Sequence, residues 1–327
     1  MIASRRQLEI RDLCRLTKRV DDAKQAFGIA DQIIDLSSES RDGSYPVPRF
    51  APEFGYIAPT KFLGYVPESS TFHLCLAHLC TDKDYCEFYR EKRLRGDLII
   101  MDNSAFEFNG SLDSRQLMDL IESSGINPDV VVSPDYPGAP ATKTLDAFDK
   151  FASLIRDEYG SKYRIMAVPQ SEVGNFDEWL VCYRSLAANA DFIGMSILGI
   201  PNAACRITGT KDISYNRLYV TQWLIRHGFV NMSGTGPWHH YLGAGSPSEI
   251  RLQRQLGLMN SMDSSSPIWH GINGIKYDDS ASGLIGGKIK RHVDFSLSPD
   301  DDECCGNLLA ISQAVRHNIE YVQNSLA

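Results

Sequence analysis

Residues 97–135 read DLIIMDNSAFEFNGSLDSRQLMDLIESSGINPDVVVSPD. Two short apolar runs, 98–101 and 130–132, each end near an aspartate, Asp102 and Asp135. Between them, residues 112–124 carry apolar side chains at helical spacing, opened by the capping pair Asp113-Ser114. Strand, helix, strand in this order implies two parallel strands joined by a right-handed crossover. The same rhythm extends outward in both directions. Further strand-like runs are FHLCLAHL (72–79), YRIMAVPQ (163–170) and ADFIGMSI (190–197), with less distinct ones around HHYLGAG (239–245) and LMNSMDSS (258–265). Helical patterns at 144–160, 176–188, 215–228 and 246–258 separate them; Thr144 and Ser246-Pro247-Ser248-Glu249 read as helix starts. One more strand placed in the Ser-, Pro- and Gly-rich segment 38–60 brings the number of units to about eight. That favours a (β/α)8 TIM barrel over an open doubly wound sheet.

At 327 residues the chain is long enough for one barrel plus an appendage. Residues 1–50 read as an N-terminal helical segment and loop, with Leu13, Leu16, Val20, Ala23 and Phe27 at helical spacing; residues 51–327 form the barrel and its C-terminal closing helix. The formal net charge is −8, which argues against a grip on nucleic acid through bulk positive charge. The densest basic cluster is Lys288, Lys290 and Arg291 in GGKIKRH, either a solvated loop or a phosphate contact at the barrel mouth. The 8 cysteines are scattered with no CxxC pair, as expected for reduced thiols. No apolar stretch approaches the roughly 20 residues of a membrane span, and the N-terminus does not read as a secretory leader. The expected location is cytoplasmic, or the host cytoplasm for a phage-encoded chain, with no membrane partner. Neither GxGxxG after the first strand nor GxxxxGK[ST] occurs, so a nucleotide-phosphate cradle is not indicated.

In a barrel, chemistry sits where strands end. Those positions supply Asp102-Asn103-Ser104-Ala105-Phe106-Glu107, then Asp135, Gln170, Gly194, Leu242-Gly243-Ala244-Gly245 and Asp263. Each aspartate alone is equally a helix cap. Three converging carboxylates suit displacement at a sugar carbon, one attacking and another handling the proton, while a further carboxylate and an amide suit a purine edge. His239-His240, beside Trp238, precede the Leu242 turn and are either structural or in reach of a substrate phosphate.

These segments resemble the tRNA-guanine transglycosylase superfamily, most closely its 7-deazaguanine DNA transglycosylase branch. Residues 102–107 resemble DSGGFQ; Val132-Ser133-Pro134-Asp135-Tyr136-Pro137 is similar to the base-recognition segment; Ala167-Val168-Pro169-Gln170 is similar to GIVQGG. Ile193-Gly194-Met195-Ser196 sits where the family has a glycine pair; residues 241–247 resemble YLMGVGTP, residues 262–267 FDCVMP, and His317-Asn318-Ile319-Glu320-Tyr321 the HNLxxY of the closing helix. The resemblance runs in order from about residue 97 to the C-terminus. It departs at Ser104, Ala105 and Glu107, at Met195, and at the zinc site, whose C-x-C-x2-C run is absent. Cys304-Cys305 stand adjacent, so no metal and no other cofactor is expected.

The resemblance implies replacement of guanine by a 7-deazaguanine of the preQ0 or preQ1 type through a covalent glycosyl-aspartate. Asp263 would be the nucleophile and Asp102 the proton-handling group. Asp135, Gln170 and Gly194 would read the base edge, Phe106 and Leu242 would sandwich the ring, and Ser104 and Gly243 would belong to the same pocket. The implied partners are a free 7-deazaguanine base and DNA, reached by flipping the target nucleotide, with a homodimer compatible with the family. The absent zinc element, the charge and the lack of an appended RNA-binding domain favour DNA over tRNA. The alternatives are a tRNA-guanine transglycosylase of the queuosine or archaeosine type, a catalytically silent accessory homologue, and an unrelated glycoside hydrolase using the same carboxylates.

Overall fold

The computed structural model describes residues 52–105, 107–108, 110–230, 236–244, 246–278, 284–285, 293–299 and 308–327. The expected N-terminal helical segment (1–50) lies outside them. Eight strands, β1 (Glu53–Tyr56), β2 (Phe72–Leu76), β3 (Leu98–Asp102), β4 (Val130–Val132), β5 (Arg164–Ala167), β6 (Phe192–Gly194), β7 (Trp238–Tyr241) and β8 (Ser261–Ser264), form one parallel sheet in the order β1-β8-β7-β6-β5-β4-β3-β2. The sheet curls until β1 and β2 meet: a Cβ built on Gly55 would lie 3.3 Å from the Leu74 backbone nitrogen. The fold is the expected (β/α)8 barrel. Its first strand lies inside the segment whose composition reads as loop. A short antiparallel pair, β9 (Lys276–Tyr277) and β10 (Leu284–Ile285), follows the eighth unit.

The helices are α1 (Lys83–Leu94), α2 (Ser114–Ser124), α3 (Ala141–Leu154), α4 (Phe176–Ala187), α5 (Gly199–Thr208), α6 (Ile213–Arg226), α7 (Pro247–Leu256), α8 (Ser266–Ile272) and the closing α9 (Leu308–Leu326). Their starts follow local chemistry. Asp113 caps α2 in a reciprocal capping box with Gln116, Ser246 accepts from the Glu249 amide at the start of α7, and Asp82, Asn175 and Asp212 cap α1, α4 and α6. Thr144 is not a cap, contrary to its sequence reading. Helix α3 begins three residues earlier, after Pro140, and the Ala141 amide is satisfied by Glu178 of the neighbouring helix at 2.8 Å. Thr144 is buried, its hydroxyl accepting from the Tyr136 amide.

Strand alternation divides the core. Phe72, Leu74, Leu76, Ile100, Val130, Val132, Met166, Val168 and Phe192 fill the barrel interior, whereas Cys75, Ile99, Met101, Val131, Ala167, Ile193 and Met262 pack outward under the helices. The interior side chains of β2 to β5 are therefore apolar up to Asp102, the last residue of β3. Those of β6 to β8 and β1 are Phe192 and, nearer the mouth, Gly194, His240, Ser261, Asp263 and Gly55. No helix among the described residues is long and apolar enough to cross a membrane. Cys75, Cys80, Cys86, Cys182 and Cys205 are free thiols.

Candidate active site

At the C-terminal mouth of the barrel opens a cavity of about 500 Å³, within the size range of small-molecule sites. Its walls are mainly apolar, with Leu74, Leu76, Val168, Leu242 and Phe295, and into them project Asp102, Asp135, Asp263 and Glu107. Asp102, Asp135, Asp263, Leu242 and Gly243 thus meet at one cavity, as the strand-end reading expects.

Each carboxylate has a different setting. Asp102 ends β3, and its Oδ2 accepts from the Ser104 amide, 2.8 Å away. Burial, reinforced by the charges of Glu107, Asp135 and Asp263, holds its carboxyl well above the usual carboxylate range and so favours its protonated form. Asp135 follows β4 and is buried. Asn103 Nδ2 donates to its Oδ1 at 2.7 Å and Gln170 Nε2 to its Oδ2 at 2.6 Å. Burial pushes it up to about 6 against these two donors. Asp263 lies within β8, where its Oδ1 accepts from the Gly243 amide at 2.9 Å and faces His240 Nε2 at 3.0 Å. Among the described residues its Oδ2 takes no hydrogen bond.

The Leu242-Gly243 turn that holds Asp263 is itself supported from behind. Gly243 has φ +70, a left-handed conformation suited to glycine. Arg217 Nη1 donates to the Leu242 and Gly243 carbonyls, and the Arg217 guanidinium is fully buried 3.2 Å from Glu249. Leu242 reaches the cavity because Gly194 has no side chain: a Cβ there would lie 2.8 Å from Leu242 Cδ1 and 2.9 Å from Val168 Cγ2.

Three sequence-predicted residues stand behind the wall rather than in it. Gln170 is fully buried, one amide hydrogen engaged by Asp135 and its Oε1 packed against Gly199. Gly194 acts through Leu242, as above. Ser104 is also fully buried and joins the β3 loop to the β2 loop, its hydroxyl 3.0 Å from His78 Nδ1. Its φ of +52 is in the left-handed region, where non-glycine residues are uncommon. Phe106, Lys288, Lys290, Arg291, Cys304 and Cys305 lie outside the described residues. Among the described residues no group of three or more His, Cys, Asp or Glu is arranged to hold a metal ion.

The histidine pair is not positioned for phosphate contact, the reading left open from sequence. Both rings are buried. His239 points outward to the Tyr183 hydroxyl, 2.8 Å away, and burial pushes it down to about 4. His240 points inward to Asp263. Asn103 is a further residue without an assigned role in sequence. Besides Asp135 it donates to the Ser133 carbonyl and accepts from the Ala105 amide, locking the two loops that present Asp102 and Asp135. Its signal is the period-two rule, which turns alternate strand-end residues to opposite faces.

The arrangement combines a carboxylate with one oxygen that takes no hydrogen bond among the described residues, a second carboxyl whose burial favours the protonated form, and a third oriented by two amides. A nucleophile, an acid and a recognition group for N–H donors can therefore act on one bound molecule. No protein-family model matches the chain, and no curated protein matches it.

Proposed function

We propose that this protein is a base-exchange transglycosylase that replaces guanine by a 7-deazaguanine in DNA through a glycosyl-Asp263 intermediate. The observation that carries the reading is the division of labour among Asp263, Asp102 and Asp135 at one largely apolar cavity. A hydrolase needs two of these carboxylates. The third, with both oxygens held by side-chain amides, suits adjacent N–H donors such as those of a guanine edge.

In the first half-reaction Asp263 Oδ2 attacks C1′. The C1′–N9 bond breaks, its electron pair goes to the base, and Asp102 gives its proton to the departing guanine. In the second half the incoming base forms the new C1′–N9 bond, its N9 proton passes to Asp102, and the C1′–Oδ2 pair returns to Asp263. Two displacements restore the original configuration at C1′. One glycosidic bond replaces another, so no redox group or nucleoside triphosphate enters the balance. The apolar walls, Leu242 and Phe295 among them, suit the faces of a flipped base.

The preference for DNA over tRNA rests on the net charge of −8 and the missing C-x-C-x2-C element. The test is incubation of the purified chain with labelled guanine and, separately, duplex DNA and unmodified tRNA at equal nucleotide concentration. Label in DNA is the expected result. Label in tRNA alone overturns the choice of polymer and leaves the chemistry standing, and no label in either overturns the transglycosylase reading.

A further inference from the structure

We infer that His240 is a positioning residue for Asp263, committing Oδ1 to hydrogen bonding, leaving Oδ2 to attack, and easing departure of the carboxylate in the second half-reaction. The inference rests on the proposed transglycosylase reading.

The geometry comes from strand register. His240 on β7 pairs with Ser261 on β8, and Asp263 lies two residues further along β8 on the same face. The imidazole is fully buried inside the barrel, its ring 5.7 Å from that of Phe72. Both nitrogens are engaged: Nδ1 lies 2.8 Å from the Ser261 hydroxyl and Nε2 lies 3.0 Å from Asp263 Oδ1. An ionised carboxylate only accepts, so Nε2 carries the hydrogen that faces it, while Nδ1 is paired with the Ser261 hydroxyl.

Packing alone does not require this arrangement. The Gly243 amide already donates to Oδ1, so His240 supplies a second donor to the same oxygen while Oδ2 takes none among the described residues. The two oxygens thereby become chemically distinct. When C1′–Oδ2 forms, Oδ1 becomes the carbonyl oxygen of the glycosyl ester and retains both donors. When the incoming N9 attacks C1′ and C1′–Oδ2 breaks, the returning charge falls on a carboxylate stabilised by those donors. Losing the His240 donor leaves the carboxylate with less stabilisation of its charge. It attacks at least as well and leaves less readily, so the covalent intermediate accumulates.

The full-length chain is assayed with a deoxyguanosine-containing oligonucleotide, following formation of the covalent complex and then its release by added labelled guanine. In His240→Phe, release should slow by about tenfold or more, formation should stay within about threefold, and kcat should fall with little change in the KM for guanine. His240→Gln, which keeps a donor, should restore release to within about threefold. Ser261→Ala, which frees the ring to turn without changing its bulk, should slow release by a smaller factor. It serves as the readout where His240→Phe does not fold. Equal loss of formation and release, with no recovery in His240→Gln, overturns the inference, as does an unchanged release rate in Ser261→Ala and His240→Phe. A wild-type chain that forms no covalent complex removes the transglycosylase reading and this inference together. An active wild type matched by its His240 variants removes this inference alone.

Discussion

The two halves of the barrel interior obey different chemistry. Strands β2 to β5 send Phe72, Leu74, Ile100, Val130, Val132, Met166 and Val168 inward, an apolar packing that holds the fold. Strands β7 and β8, with β6 and β1 beside them, send in His240, Ser261 and Asp263 and two glycines, Gly194 and Gly55, with Phe192 as the one large apolar residue of β6 on that face. The first half gains stability from burial. The second half buries polar groups that water would otherwise solvate, and only their mutual hydrogen bonds offset that cost. The glycines are part of the same bargain, because each leaves room for a functional neighbour: Gly194 for Leu242, and Gly55 for the approach of β2 and the Asp263 Cβ, 3.5 Å from its own missing Cβ. Substitutions in the two halves should therefore separate activity from stability.

The largest effect belongs to the polar half. Asp263→Ala should lower base exchange by roughly 10⁴-fold or more, about 5.5 kcal/mol of barrier, and abolish the trapped complex. Its stability should fall by no more than about 1–3 kcal/mol, since the carboxylate takes its own desolvation cost with it while the buried His240 donor loses its partner. Exchange within about tenfold of wild type would take the nucleophile role from Asp263. The mirror experiment is Ile100→Ala, in an interior position of β3 away from the cavity walls. Denaturant unfolding should show a loss of about 2–5 kcal/mol, while the folded fraction keeps its exchange rate per active site. A stable Ile100→Ala with impaired chemistry would contradict the division between the halves.

The same division explains which parts of the fold are legible in sequence. FHLCL, LIIM, VVV and RIMA are recognisable because, His73 and Arg164 apart, both faces of these strands are apolar, one toward the barrel interior and one under the helices. WHHY, SMDS and EFGY lack that continuity, since their interior positions carry polar or missing side chains, and β1 consequently falls within a stretch that reads as loop. Helix α1 is similarly faint, being mostly charged outside its buried Tyr85, Cys86 and Tyr89. At the site, Asp102, Asp135 and Asp263 are legible because strand ends meet at one mouth in any such barrel. Gln170, Gly194 and Ser104 stand behind the cavity wall, and sequence order does not distinguish a residue in the wall from one that braces it. The His240–Asp263 contact depends on inter-strand register, which no run of residues in one chain segment displays.

A smaller effect links the halves through pH. Asp135 is raised from an ordinary value of 3.8 to about 6 by burial, so the folded state holds its proton more tightly than the unfolded chain. Its contribution to stability is thus fully present below about pH 4 and is lost as pH climbs through 6, to the extent of about 3 kcal/mol. Asp135→Asn should remove that slope from unfolding measured between pH 4 and 7. Activity should run the opposite way on this limb, rising through about pH 6 as Asp135 ionises to accept N–H donors. It should then fall at higher pH where Asp102 loses its proton. A rate that is flat from pH 5 to 7 would detach Asp135 from base recognition.

The smallest effect concerns Ser104, which lies between the apolar packing and the site. Its φ of +52 costs about 1 kcal/mol for a non-glycine residue, and glycine removes that cost. Against this, Ser104→Gly loses the hydroxyl that accepts from the His78 amide and faces His78 Nδ1, at 3.2 and 3.0 Å, contacts worth about 0.5–1.5 kcal/mol apiece in a typical case. The glycine also makes the loop more mobile in the unfolded chain, which weighs against folding. The opposing terms leave a net change of about 1 kcal/mol or less, and the backbone amide that donates to Asp102 is untouched. Exchange should therefore remain within about threefold of wild type, whereas Ser104→Ala, which keeps the strain and loses the hydroxyl, should be the less stable of the two variants. The comparison needs only thermal unfolding of both proteins. If Ser104→Ala proves the more stable, left-handed strain is not what this position imposes, and the preference for glycine in the resembling DSGGFQ segment needs another cause.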